Sequence, residues 1–357
     1  MRFWLSAVIL SALSGCATPP PALDAQHDRL LTSPELANDP HVKPLLKTPD
    51  NAHKIDWSKF KPTFKRPLRG LKIALDPGHM GGSPWDERGG KYLLNSQAQK
   101  LSEGKMALQL ALLLEKQFQK LGAVVFIDRR DLSPVTAHEY QDFDGVHNSA
   151  FFQRIDLDAR AEKLWAFHPD LTLILHFDSH IDDHPPNPDV AKKLCNETKA
   201  YIPGQFAADD FSDEVERTLF EVIWRNPRVW QDSLELSREI THQIHQQMGI
   251  PLASESDPHA SLIEPGVLAR NLRLQRRMAG FVTTYLESLC YEDLQEFKAF
   301  HQAELPLEIQ GQPEPYSRRL LQLSRAIADG VVSFTKLHEN PAESPLNTSS
   351  SKIPLAQ

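Results

Sequence analysis

The chain has 357 residues, 41% of them hydrophobic, which suffices for one sizeable domain with additions. A formal net charge of −8 and the lack of any basic run exclude nucleic acid as a partner. The three cysteines, Cys16, Cys195 and Cys290, have no metal-ligand spacing; beyond Cys16, a Cys195–Cys290 disulfide and two free thiols are both compatible with the sequence.

Met1-Arg2 is a minimal charged start, Phe3 to Leu13 a short apolar core, and Leu13-Ser14-Gly15 leads into Cys16. The core is too short to span a bilayer comfortably. Residues 1–15 thus resemble a bacterial lipoprotein signal peptide. That resemblance implies cleavage before Cys16 and lipidation of Cys16. Ala17 gives no Asp-type retention cue, so the implied location is the periplasm, with a lipid anchor in the outer membrane. Residues 16–70, rich in Pro, Asp, His and Lys, read as a tether, with Trp57, Phe60 and Phe64 placed to dock its end.

The apolar run Leu71 to Leu75 predicts a strand, stopped by the turn chemistry of Asp76-Pro77-Gly78, so His79 should sit just past its C-terminal end. Open α/β folds place their sites there. Ser102 is a plausible N-cap for a helix whose stripe is Met106, Leu110, Leu113, Leu114 and Leu121, closed at Gly122. Glu103 falls in its first turn, where the helix dipole favours a carboxylate with or without a ligand role. A polar stretch from Asp131 to Arg154 carries His138, Asp142, Asp144 and His147, read as solvated residues. A helix-like stretch over Leu157 to Phe167 then leads through Pro169-Asp170 into the continuous apolar run Leu171 to Leu175, a buried parallel strand ending at His176. Parallel strands end on one side of a sheet, so His79 and His176 should share an edge. Two His and one Glu at that edge form the ligand set of a catalytic zinc site with a fourth position open.

Residues 182–232 follow as an insertion over that edge, with an acidic run and an amphipathic stretch from Asp213 to Trp224. Ser233 to Met248 and Tyr316 to Leu337 read as scaffold helices, His242 and His245 on the first being a solvent-facing pair. Gly280 to Leu286 reads as a further strand, with Glu287 after it and before a Ser288-Leu289-Cys290 turn, followed by a helix from near Glu292. A carboxylate there suits a general base. Residues 339–357, rich in Pro, Ser and Asn, read as a disordered tail.

With these residues in hand, the chain resembles the zinc-dependent N-acetylmuramoyl-L-alanine amidases of the amidase-3 type over about Leu71 to Leu337. The family pattern is a strand ending in Asp-Pro-Gly-His, a Glu opening the next helix, a strand ending in a Ser-Ile-His-like step and a late Val-Glu-Thr-like step. Here these correspond to Asp76 to His79, Glu103, Leu175-His176 and Leu286-Glu287-Ser288, in order. Met80, Phe177-Asp178-Ser179-His180 and Leu289-Cys290 depart from the usual residues, and none removes a ligand.

The resemblance implies one Zn2+ held by His79, Glu103 and His176, Glu287 as catalytic base, and peptidoglycan as substrate, cut between muramic acid and L-alanine. It implies a single α/β catalytic domain over 71–338, a three-layer twisted, largely parallel sheet flanked by helices. For 182–232 two readings stand: an autoinhibitory helix released by a protein activator, as in some relatives, and a loop shaping the glycan groove. Two alternatives share the motif: another zinc-dependent peptidoglycan peptidase, and a lipoprotein that binds peptidoglycan without cutting it.

Overall fold

The computed structural model describes residues 55–82, 85–86, 91–137, 148–179, 196–205, 227–256, 259–278, 280–309 and 311–339. Cys16 and the signal peptide, most of the tether, His138 to His147, His180, Asp213 to Trp224 and the tail beyond 339 lie outside them.

In chain order the elements are β1 (Lys72–Pro77), β2 (Tyr92–Leu94), β3 (Lys100–Ser102), α1 (Glu103–Lys120), β4 (Val124–Ile127), α2 (Asn148–Phe167) and β5 (Leu171–Asp178). They continue with β6 (Lys199–Pro203), α3 (Pro227–Met248), β7 (Ala260–Glu264), β8 (Val267–Arg270), α4 (Arg273–Arg277) and β9 (Val282–Cys290). The last are α5 (Leu294–His301), β10 (Ala303–Ile309), β11 (Gln312–Ser317) and α6 (Arg318–Glu339).

One mixed sheet has the order β4-β1-β5-β9-β6-β8-β7, and β2-β3 and β10-β11 are separate hairpins. Strands β4, β1, β5 and β9 are mutually parallel; β6 runs against β9, β8 runs with β6, and β7 turns back on β8. Chain connections leave β1 for β4 on one side and return from β4 to β5 on the other. The carboxyl ends of β1 and β5 therefore flank a topological switch point, the place where open α/β sheets hold ligands.

Helix α1 forms from an Ala- and Leu-rich run free of β-branched residues. The Ser102 hydroxyl accepts from the Lys105 amide at its start, and Gly122 closes it in the left-handed region at φ 100°. Burial of Met106, Leu110 and Leu114 joins it to α3 and α6 in the main core on one sheet face, against Ile73, Leu173, Leu175 and Leu286. On the other face α2 and α4 cover Ala74 and Ile174 with Leu164, Trp165, Leu274 and Met278. The result is the three-layer α/β arrangement expected from the sequence. Among the described residues no helix is long and apolar enough to cross a membrane.

Four expectations are corrected. Glu287 lies inside β9, because Leu286, Ser288, Leu289 and Cys290 are all fully buried and pairing with β5 continues to Asp178 and Cys290. Part of the expected insertion, Lys199–Pro203, is strand β6 of the main sheet, and α3 begins at Pro227 rather than at Ser233. The end of the tether docks through Phe60, which is buried, and Trp57, which packs on the core, and with Ile55 and Leu68 also buried the folded unit starts before residue 71. Phe64, by contrast, is fully exposed and docks on nothing.

Candidate metal centre

Strand register builds the centre. Pro77 on β1 is opposite Leu175 on β5, so His79 lies just past one strand end beside His176 near the end of the next. His176 is opposite Glu287 on β9, and Glu287 is in turn opposite Lys199 on β6. Cross-strand partners share a face, so His176, Glu287 and Lys199 form one row across three strands. Glu103 arrives from the first turn of α1, whose amide donates to the Lys91 carbonyl at 2.8 Å.

The three expected ligands converge. Glu103 Oε1 is 3.5 Å from His79 Nε2 and 3.0 Å from His176 Nδ1. Tetrahedral ligands at the ~2.1 Å bond lengths of zinc lie about 3.4 Å apart, so these separations fit an ion among them. Glu103 Oε1 also accepts from the Phe177 amide at 3.2 Å, while Oε2 is buried and has no hydrogen-bond partner, leaving an acceptor for a cation. Burial holds both imidazoles neutral, the pKa of each lowered to about 3, which is the metal-binding form of histidine.

The rings are tightly held. Tyr285 stacks on His176 with centroids 4.4 Å apart, and His79 meets His176 edge-on at 4.8 Å. Gly78 is needed beside them: a Cβ there would stand 2.2 Å from His176 Nε2. Asp86 clamps the neighbouring loop, accepting from the Gly82 amide at 3.0 Å and from the Ser102 hydroxyl at 2.7 Å, with Lys100 Nζ 2.8 Å from its other oxygen.

Glu287 is the fourth expected residue. Its Oε2 is buried without a hydrogen-bond partner, and burial, then the Asp178 and Glu103 carboxylates, raise its pKa well above the usual carboxylate range. Lys199 Nζ sits 2.6 Å from Asp178 Oδ2, so Asp178 is a member of a buried ion pair. Lys91 completes the rim, its pKa raised chiefly by Glu103. Sequence reasoning did not single out Lys91, Lys199 or Tyr285. The alternation Tyr285-x-Glu287 along a strand was the one available signal, and it required knowing that the strand ran on through Glu287.

A second His/Asp/Glu group, Asp232, Glu235 and His338, gathers where α3 meets α6. Arg228 already occupies it, with Nε 2.8 Å from Asp232 Oδ1 and Nη2 3.2 Å from His338 Nδ1, while His338 Nε2 is 3.4 Å from Glu235 Oε2. That is an ion-paired network. Among the described residues His242 and His245 join no ligand group; His245 Nδ1 is 2.7 Å from the Ile250 carbonyl, capping the end of α3. Cys290 is disulfide-bonded, its partner lying outside the described residues.

No family model and no curated protein matches the chain. Solved structures do. One is the CwlD amidase from Clostridioides difficile in complex with the GerS lipoprotein, at 15% identity over 75% of this chain and 99% of that one, with a TM-score of 0.49. Another is an N-acetylmuramyl-L-alanine amidase from Mycobacterium smegmatis, at 13% identity over 75% and 98% of the two chains, TM-score 0.45. A third, the N-acetylmuramoyl-L-alanine amidase from Clostridium difficile 630, has 15% identity over 74% and 97%, TM-score 0.42.

Proposed function

We propose that the chain is a zinc-dependent N-acetylmuramoyl-L-alanine amidase that cuts the bond between muramic acid and L-alanine in peptidoglycan. The observation carrying this reading is the meeting of His79, Glu103 and His176 around one point, with Glu287 in register beside His176. His79, Glu103 and His176 would hold the ion. When bound, zinc supplies a Lewis acid that acidifies water and polarises the scissile carbonyl. Glu287 takes the proton from the attacking water on its free Oε2 and returns it to the leaving nitrogen, so that the amine departs neutral. Tyr285 keeps the His176 ring in place during both transfers, and Lys199, held by Asp178, sits opposite Glu287 on the ladder.

Lipidation of Cys16 would anchor the enzyme to the outer membrane, facing the periplasm, and would leave Cys195 as the partner of Cys290. A disulfide suits that oxidising compartment.

The test is incubation of the zinc-loaded mature chain, residues 16–357, with purified peptidoglycan, with and without a chelator, and mass spectrometry of the products. Chelator-sensitive release of intact stem peptides with a free L-Ala amine is the expected result. Release of truncated peptides would make it a peptidase acting elsewhere on the stem. Retention on the polymer with no product, zinc being bound, would make it a binding lipoprotein or an enzyme held inactive.

A further inference from the structure

The buried polar groups behind the metal centre are not explained by the chemistry above. Arg129 follows β4 and is buried, 50 residues from His79 in sequence. Its Nη2 donates towards the carbonyls of Pro77 at 3.0 Å, Gly78 at 3.3 Å and Gly104 at 3.4 Å, and also to the His79 carbonyl. Nη1 of the same guanidinium bonds the Asp131 carbonyl. Pro77, Gly78 and His79 form the turn that presents the His79 ring. Gly104 is the residue after Glu103.

One guanidinium thus ties the backbones that carry two of the three ligands. These backbones have no slack. A Cβ on Gly104 would meet the Met80 carbonyl oxygen at 2.3 Å, so the first turn of α1 is pressed directly against the His79 turn. His79 itself adopts φ 49°, a left-handed conformation unfavourable for a non-glycine residue, which persists only where its surroundings enforce it. Arg129 grips the carbonyl of that residue.

Charge is balanced around it. Arg160 pairs with Asp76 at 3.2 Å and Asp156 at 2.7 Å and donates to the Pro77 carbonyl at 2.8 Å. Burial and the adjacent Asp76 carboxylate raise the Asp128 pKa well above the usual carboxylate range, which lessens the negative charge facing the two arginines. Arg160 reaches only the β1 side of the centre; among these groups Arg129 reaches both sides.

We infer that Arg129 is a positioning residue of the metal centre, holding the His79 turn and the Glu103 turn at the separation an ion requires. The inference rests on the zinc reading proposed above. A lysine should replace it only in part: its single ammonium could face the carbonyls around Nη2, but the flat guanidinium also holds the Asp131 carbonyl through Nη1. Loss of groups that orient metal ligands typically weakens metal affinity 10–100-fold.

The test uses the mature chain and its Arg129→Met and Arg129→Lys variants. Folding is followed by circular dichroism, zinc affinity by competition with a chromophoric chelator, and ligand geometry by the absorption spectrum of the Co2+ form. We expect folded variants with zinc affinity about 10–100-fold lower and an altered Co2+ spectrum, the shift being smaller for Arg129→Lys. A folded variant with unchanged affinity and an unchanged Co2+ spectrum overturns the inference. So does failure of both variants to fold, which would assign Arg129 to overall stability. If the unaltered chain binds no zinc, the proposed function falls together with this inference; if it binds zinc and the folded variants do too, with equal strength, only this inference falls.

Discussion

Gly78→Ala isolates the geometry of the centre from its chemistry. The backbone at Gly78 is not in the left-handed region, so alanine strains nothing locally. Its Cβ, however, would lie 2.2, 2.3 and 2.5 Å from three atoms of the His176 imidazole, the nearest 1.2 Å short of the 3.4 Å at which ordinary contact begins. The ring has to shift by about that distance, and Tyr285 stacked at 4.4 Å restricts its retreat. Zinc–nitrogen bonds of ~2.0–2.1 Å tolerate deviations of only about 0.2 Å, so a displacement several times larger removes His176 from the ligand set. Zinc affinity should fall by at least about 100-fold, the upper end of what even indirect partners cost, and hydrolysis should fall with it. The assay is chelator competition on the purified variant, with circular dichroism to show that the sheet is intact. Wild-type zinc affinity in a folded Gly78→Ala chain would refute the placement of the ion beside His176.

Other expectations follow from the same geometry. Glu287→Gln should bind zinc and fold normally yet release no stem peptide, whereas His176→Ala should lose the metal as well; a Glu287→Gln enzyme with wild-type turnover removes Glu287 from the proton-transfer role. Burial raises the Asp232 pKa from the usual 3.8 to about 6, so the folded state holds a proton that the unfolded chain has released between these values. The stability this contributes is present below about pH 4 and lost as pH rises through 6, by up to about 3 kcal/mol. Chemical denaturation of Asp232→Asn beside the wild type at pH 4 and pH 7 should therefore show the variant gaining in relative stability at the higher pH, and a pH-independent difference would contradict the assignment. Trp57 stacks on His338 at 4.4 Å and meets Phe60 edge-on at 5.6 Å. Trp57→Ala should then cost about 2 kcal/mol in urea unfolding, and no change would mean that residues 55–70 are not part of the cooperative unit.

Features governed by near neighbours were legible in the sequence. Ser102, Glu103 and Gly122 mark their helix because capping and the left-handed stop act within one turn. His79 was legible because Asp-Pro-Gly ends a strand by local turn chemistry, and His176 because the apolar run Leu171 to Leu175, following a helix and a Pro-Asp turn, reads as a buried parallel strand whose end shares the edge of β1. Glu287 was found as a residue but misplaced as an element. Ser288-Leu289-Cys290 has no alternating pattern, and it stays extended by burial and by pairing with β5, which resumes at Asp178 opposite Cys290. Strand β6 was hidden for a similar reason, five residues long and buried by neighbours on both sides.

What only the tertiary structure decided is the set of groups that meet across long separations. Lys199 stands opposite Glu287 through a register no local pattern encodes. Arg129 reaches back 50 residues to the His79 carbonyl, and Arg160 pairs with Asp76 across 84. The sequence determined the candidate ligands and their order, because turn, cap and strand signals act over a few residues. The support behind them was settled by packing, because a buried cation finds its carbonyls and carboxylates only where the folded sheet has already brought them.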